Sequence, residues 1–192
     1  MKSQLLEFLR CPSCTSRLEL RHAKFDAGEV ESGELYCCYC KGSHPVRDFI
    51  PRFVGSENYA RGFGFQWNLH PRTQIDSFNG TRISADRFYE GTKWRRKTLK
   101  GQRVLEVGCG AGRFTDVMLD AGLEVYSLDY SNAVETCLKN HGLHPKLHVI
   151  QADIYQIPIQ KECFDKVFCF GVLQHTPEVE KSFRCLTEFV RH

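Results

Sequence analysis

The stretch Val104-Leu105-Glu106-Val107-Gly108-Cys109-Gly110-Ala111-Gly112-Arg113 decides the architecture of this chain. Val104, Leu105 and Val107 supply the apolar, β-branched run of a parallel strand buried on both faces. Three glycines then open a turn whose backbone angles are closed to other residues and which lets a ligand approach the main chain. Phe114, Val117, Met118 and Ala121 follow at helical spacing, one apolar face on a helix that Gly122 ends. A strand, a glycine turn and a helix in that order predict a site for a nucleotide-like cofactor.

The glycine spacing narrows the cofactor. In a dinucleotide fingerprint, G-x-G-x-x-G, the pyrophosphate rests on the helix N-terminus; here the third glycine comes one residue early and Arg113 stands where that pattern wants glycine. No phosphate loop of the G-x-x-x-x-G-K-[ST] type occurs. Glu106 adds negative charge beside the loop, which disfavours a diphosphate and suits a cationic ligand. S-adenosylmethionine carries a sulfonium and an α-ammonium and no phosphate.

The next segments extend the pattern. Glu124 to Leu128 reads as a second strand ending at Asp129, about 20 residues past the loop, where an acid meets ribose hydroxyls in such sheets. Ser131 or Asn132 caps a helix with Ala133, Val134, Cys137 and Leu138 on its apolar face and Gly142 at its end. Leu147 to Gln151 and Lys166 to Phe170 read as the third and fourth strands, followed by Ala152-Asp153-Ile154 and by Gly171 to Pro177. Alternating strands and helices predict an α/β fold with a parallel sheet, whose ligands lie beyond the carboxyl ends of the strands. Glu106, Asp129, Asp153 and Gly171 all fall at those ends.

Residues 104–191 resemble the first half of a class I S-adenosylmethionine-dependent methyltransferase, through Leu105 to Phe114, Asp129, Ala152 to Ile154, and Phe164-Asp165 with Leu173-Gln174-His175. The resemblance implies a Rossmann-like sheet, its first four strands present, with Gly108, Gly110 and Gly112 along the methionine moiety. It places Asp129, Asp153 and Ile154 around the adenosine. The expected cofactor-binding set is Glu106, Gly108, Cys109, Gly110, Gly112, Asp129, Tyr130, Asp153, Ile154 and Gly171. His175, at the fourth-strand edge, is the candidate catalytic base for a hydroxyl or amine acceptor. The competing reading is that His175 packs beside the cofactor or caps Thr176-Pro177. His70 is a weaker candidate.

The other end carries Cys11-Pro12-Ser13-Cys14 and Cys37-Cys38-Tyr39-Cys40, with 22 residues between the pairs. Two C-x2-C knuckles offer four thiolates to a tetrahedral, structural zinc, with Cys11, Cys14, Cys37 and Cys40 as ligands and Cys38 left over. A hairpin through Leu18-Glu19-Leu20 and Glu34-Leu35-Tyr36 absorbs the separation. Residues 5–54 resemble the small zinc-ribbon domain known as an activator of tRNA and protein methyltransferases and as the N-terminal module of bacterial methyltransferases. The matching tail, His44 to Phe53, departs from that pattern with Phe49 in place of glycine.

A chain of 192 residues suits one α/β domain and a small appendage: a ribbon over 1–54, an aromatic-rich connecting segment over 55–100, which the resemblance implies covers the cofactor and which equally reads as rings packing the ribbon against the core, and the core over 101–192. Phe63, Phe65, Trp67, Phe78, Phe88, Tyr89 and Trp94 are too many aromatics for a disordered tether, and Arg82 to Glu90 reads as a short helix. Ten cysteines without a secretory signal point to metal binding in the cytoplasm, and no apolar run is long enough to span a membrane. A net charge of +3 falls short of a nucleic-acid binder's footprint, although Arg10, Arg17, Arg21, Arg47 and Arg52 gather around the ribbon, a weak pointer to RNA. After a helix over Glu178 to Val190 the chain stops at His192. The resemblance expects further strands there. A truncated chain is therefore expected, with an exposed edge on the fourth strand open to a protein partner. The sequence favours a methyltransferase acting on a small-molecule or glycan acceptor, with RNA or protein second. A non-catalytic partner of another methyltransferase and a zinc-ribbon RNA module remain as alternatives.

Overall fold

A computed structural model describes residues 1–55 and 71–191 of the chain. Phe63, Phe65, Trp67 and His70 lie outside the described residues. Two four-stranded sheets form, one antiparallel and one parallel.

The antiparallel sheet is a meander of β1 (Glu19–Asp26), β2 (Glu29–Tyr36), β3 (Ser43–Arg47) and β4 (Ile50–Pro51). Glu19 pairs with Tyr36 and Leu20 with Leu35, so the hairpin brings the first knuckle, before β1, to the second, after β2. Between β3 and β4 the chain turns on Asp48 and Phe49, both left-handed at φ 52° and 65°. That two-residue turn suits the twist of an antiparallel hairpin but strongly favours glycine. Phe49 keeps the backbone conformation of the glycine it replaces, and its half-buried ring gives a reason: it lines a small recess with Met1, Leu5, Leu138 and Leu147. Apolar contact with the second sheet offsets the local strain.

The parallel sheet has the order β7-β6-β5-β8, built from β5 (Arg103–Val107), β6 (Glu124–Asp129), β7 (Leu147–Gln151) and β8 (Lys166–Cys169). Its helices are α1 (Asp76–Asn79), α2 (Ile83–Thr92), α3 (Arg113–Asp120), α4 (Ala133–His141) and α5 (Val179–Thr187). Side chains alternate across each strand. Val104, Val125, Val149 and Phe168 meet Phe88 of α2, Phe114, Val117 and Met118 of α3, and Val134 and Cys137 of α4. On the opposite face, Leu105, Val107, Tyr126, Leu128 and Ile150 join Leu5, Leu9, Leu18, Val30, Leu35 and Val46 of the N-terminal module in one buried cluster, with Leu186 and Phe189 from the C-terminal helix and its exit. The small sheet is therefore the cover for half of that face.

Backbone pairing reinforces the packing. Leu9 bridges Ile159, with Arg10 N donating to Pro158 O at 2.9 Å and Gln160 N to Phe8 O at 2.8 Å. Just past β4, Arg52 bridges Gln151 in parallel, and Phe53 N donates to Gln151 O at 2.8 Å, so the two sheets meet at the outer edge of β7. The opposite edge is β8, where Phe164 N donates to Phe189 O at 3.1 Å and Arg191 N to Phe164 O at 2.9 Å, which pairs the approach to the strand with the last described residues. No helix among the described residues is long and apolar enough to cross a membrane.

The buried Arg52 guanidinium donates to Gln151 Oε1 at 3.0 Å and pairs with Glu135 at 3.0 Å. Gln151 Nε2 in turn donates to Asn132 Oδ1 at 3.0 Å and to Tyr130 O at 3.3 Å. Truncating Arg52 leaves a buried amide oxygen without its donor. Arg52→Ala should lower the unfolding free energy by about 2 kcal/mol in urea denaturation; a change under about 0.5 kcal/mol would show that the latch contributes nothing.

Candidate functional site

A cavity of about 400 Å3 opens at the carboxyl ends of the parallel strands, within the range of small-molecule sites. Its floor is Val107, Leu128 and Ala152; its walls come from the loops after β5, β6, β7 and β8 and from Pro71, Gln74 and Ile75 around α1.

The loop after β5 is held against β6. Gly108 N and Cys109 N both donate to Leu128 O, at 2.7 and 3.1 Å. Gly110 N donates to Asp129 Oδ2 at 2.9 Å. The other Asp129 oxygen accepts from Ser131 N and Oγ at 2.8 and 2.7 Å. Each carboxylate oxygen has more than one acceptor site, so the rigid Asp129 retains capacity for a ligand hydroxyl at the cavity wall. Asp153 sits one strand over, its Oδ1 accepting from Tyr155 N at 2.9 Å. At Gly108, φ is 81° and a Cβ would overlap Val172. Glycine is required there because the loop after β8 closes directly on it.

Of the residues expected from the sequence, Gly108, Cys109, Gly110, Asp129, Tyr130, Asp153, Ile154, Gly171 and His175 line the cavity. Glu106 and Gly112 do not. Glu106 lies on the strand, where the period of two aims its side chain under α3 rather than upward. Its Oε2 accepts from Thr115 Oγ1 at 2.6 Å and Ser127 Oγ at 2.7 Å, and burial raises its pKa to about 7. It staples the first turn of α3 to the sheet. At Gly112, φ is 94° and a Cβ would overlap the His141 ring, so this glycine serves helix–helix packing. His175 is exposed on the short turn Leu173–His175, beside the mouth.

Several lining residues carried no signal of their own in the sequence. Gln74 and Ile75 arrive from a segment without a motif. Arg113, Phe114, Phe170 and Val172 lie beside Gly112 and Gly171, and Thr176 follows His175; that neighbourhood is the signal that finds them.

At the far end of the chain the Sγ atoms of Cys11, Cys14, Cys37 and Cys40 all lie within 4.8 Å of one another, with Cys11–Cys40 and Cys14–Cys37 each at 3.5 Å. Four thiolates around one zinc stand roughly 3.8 Å apart given Zn–S bonds of about 2.3 Å. The donor set and its spacing fit such an ion. Cys38 is exposed and turned to Arg21 at 3.7 Å.

Residues 105–192 match the family described as a methyltransferase domain, and residues 2–48 match the Trm112p-like protein family. Similar curated proteins include ubiquinone biosynthesis O-methyltransferases. That of Coxiella burnetii is 30% identical over 89 residues, covering 45% of this chain and 38% of the relative. That of Xylella fastidiosa is 32% identical over 116 residues, covering 58% and 44%. The chain thus matches less than half the length of these relatives. Among solved structures, a candidate S-adenosylmethionine-dependent methyltransferase from Methanococcus maripaludis superimposes with a TM-score of 0.56 at 17% identity, over 72% of this chain and 62% of that one. The complex of the Haloferax volcanii Trm112 methyltransferase activator with a candidate methyltransferase gives 0.52 at 16% identity, over 70% and 57%. The structural likenesses bear on the fold alone. This chain carries a methyltransferase domain of the class I fold behind a Trm112-like domain.

The raised Glu106 has a measurable consequence. The folded protein holds this proton more tightly than the unfolded chain, whose value is near 4.5. The stabilisation is complete below that value and is lost as pH rises through about 7. Glu106→Gln should remove up to roughly 3 kcal/mol of the fall in stability between pH 5 and 8. Urea unfolding at both pH values measures it, and equal falls in the two proteins would overturn this account.

Proposed function

We propose that this protein is an S-adenosylmethionine-dependent methyltransferase whose N-terminal module is a structural zinc site serving the catalytic domain in cis. The observation that carries the reading is the clustering of Asp129, Asp153 and the glycine turn around one cavity at the strand ends, in a chain with a methyltransferase domain. The division into a ribbon over 1–54, a covering segment over 55–100 and the core over 101–192 belongs to the same proposal, as does a reducing, cytoplasmic setting for the thiolates.

The residues suit this cofactor. Asp129 would accept hydrogen bonds from the ribose hydroxyls, Asp153 would serve the adenine, and Val107, Leu128, Ala152 and Ile154 would supply an apolar bed. The loop Gly108 to Gly110, with Tyr130 and Gly171, encloses the remainder. When bound, the sulfonium supplies an activated methyl group with a neutral thioether as leaving group. The chain's own work is then to align an acceptor in line with that methyl and to exclude water. His175, at the mouth, takes the proton that a hydroxyl or ammonium acceptor must lose. A small-molecule or glycan acceptor is favoured, with RNA or protein second. The Trm112-like match supports the cis role of the module, because the Haloferax structure holds a Trm112 methyltransferase activator in complex with a candidate methyltransferase.

Two measurements test the reading. Calorimetric titration with S-adenosylhomocysteine should give micromolar affinity, weakened more than tenfold by Asp129→Ala; absence of binding by the folded protein would remove the cofactor assignment. Elemental analysis should find about one zinc per chain, lost from the Cys11→Ser, Cys40→Ser double variant. A folded, metal-free protein would remove the zinc assignment.

A further inference from the structure

The cavity is polarised in a way the cofactor does not use. Its two acids, Asp129 and Asp153, follow β6 and β7, the far side of the sheet order β7-β6-β5-β8. Its cationic residues and two of its three aromatic ones lie on the β5–β8 side: Arg113 and Phe114 open α3, while Phe170 and His175 follow β8, and only Tyr130 stands with the acids. Neighbouring strands are about 4.8 Å apart, so β8 stands roughly 10 Å from β6 and roughly 14 Å from β7. Adenosine held by the acids leaves the β8 side for whatever receives the methyl.

That side is built as a wall. The Phe114 and Phe170 rings pack edge to face with centroids 5.1 Å apart, and Phe170 is 39% exposed. The Arg113 guanidinium lies 4.8 Å from the centroid of the Phe114 ring, and that of Arg87, an exposed side chain just outside the cavity lining, 4.9 Å from the centroid of Phe170. Ser84 Oγ accepts from Arg113 Nε at 3.0 Å, and Gln74 Oε1 from its Nη1 at 3.3 Å, so neutral groups orient this side chain. The carboxylates nearby are committed elsewhere. Asp76 accepts from Thr81 Oγ1, Ser84 N and Ala85 N; Asp116 accepts from Ser77; and Asp86 pairs with Arg82. Among the described residues neither arginine has a carboxylate in salt-bridge range. Burial, and next the charge of Arg87, lower the pKa of Arg113, while the charge of Asp76 offsets part of this. Two like charges held beside an apolar wall are disfavoured until an anion joins them.

We propose that Arg113 and Arg87 hold the anionic group of a planar, carboxylate-bearing acceptor whose body stacks on the Phe114–Phe170 wall. This rests on the cofactor reading above, which puts adenosine at the opposite side. The guanidinium fork matches a carboxylate in two parallel hydrogen bonds, and the exposed Phe170 face accepts a flat apolar body. His175 stands on the same side of the cavity, where the acceptor's proton leaves.

The test uses the full chain and benzoate as probe, with uncharged benzamide as its comparator. Both are titrated with and without saturating S-adenosylhomocysteine and followed by ligand-observed NMR. Benzoate should bind about tenfold more tightly than benzamide, and Arg87→Gln and Arg113→Gln should each reduce that preference severalfold. Equal binding of the two probes would overturn the proposal while leaving the cofactor reading intact. S-adenosylhomocysteine and its decarboxylated analogue are titrated in parallel. Loss of affinity in Arg113→Gln for the first but not the second would assign the arginine to the cofactor's own carboxylate and overturn the acceptor assignment. Failure of both nucleosides to bind the unaltered protein defeats the cofactor reading, and benzoate titrated alone still decides whether the arginine wall selects an anion.

Discussion

A parallel strand has two faces, and both must be kept from water. Everything in this molecule follows from how that requirement is met. One face of β5, β6 and β7 is covered by α2, α3 and α4 in the manner of any α/β sheet. The other is covered by the 3-10 turn Ser3–Glu7, the small antiparallel sheet and the C-terminal helix. Leu5, Leu9, Val30 and Leu35 do for this face what crossover helices usually do, each contributing about 1.5–3 kcal/mol of apolar burial. With the cover in place, the strand ends are fixed relative to one another, and the loops above them can be short and rigid.

The rigidity is expressed in hydrogen bonds that run from loop to strand. Leu128 O receives two amides of the glycine turn, and Asp129 receives a third. Beneath them, Glu106 ties α3 to β5 and β6 through two hydroxyls. A line of contacts from Glu135 through Arg52 and Gln151 reaches the backbone of Tyr130, which borders the cavity. The N-terminal module is thereby mechanically continuous with the site, although it contributes no lining residue to it.

The strand–turn–helix unit was legible because its information is local. The apolar run of Val104, Leu105 and Val107, three glycines and a helical stripe each leave a mark within a few residues. The four sulfurs were legible for the same reason: knuckle spacing fixes two pairs, and one hairpin brings the pairs together. Glu106 was harder. Its position before the loop suggested a ligand contact, but strand parity turns its side chain toward Thr115, and the identity of the buried hydroxyls decides its charge. Gly112 looks like its neighbours in the sequence, yet it is required by the ring of His141, 29 positions away. Phe49 breaks a glycine pattern for a reason visible only when Leu138 and Leu147 are seen beside it. The arginine wall was not visible at all, since Arg87 and Phe170 come together only through the packing of α2 against β8.

The shared cluster beneath the sheet has a bearing on how the molecule comes apart. Two modules linked by a tether melt separately, each with its own transition. Here Val30 and Leu35 on one sheet and Tyr126 and Ile150 on the other belong to a single apolar body. Neither half can shed its partner without wetting a surface it has no other means to cover. The antiparallel and parallel parts, unlike in every local feature, are therefore expected to unfold as one cooperative unit.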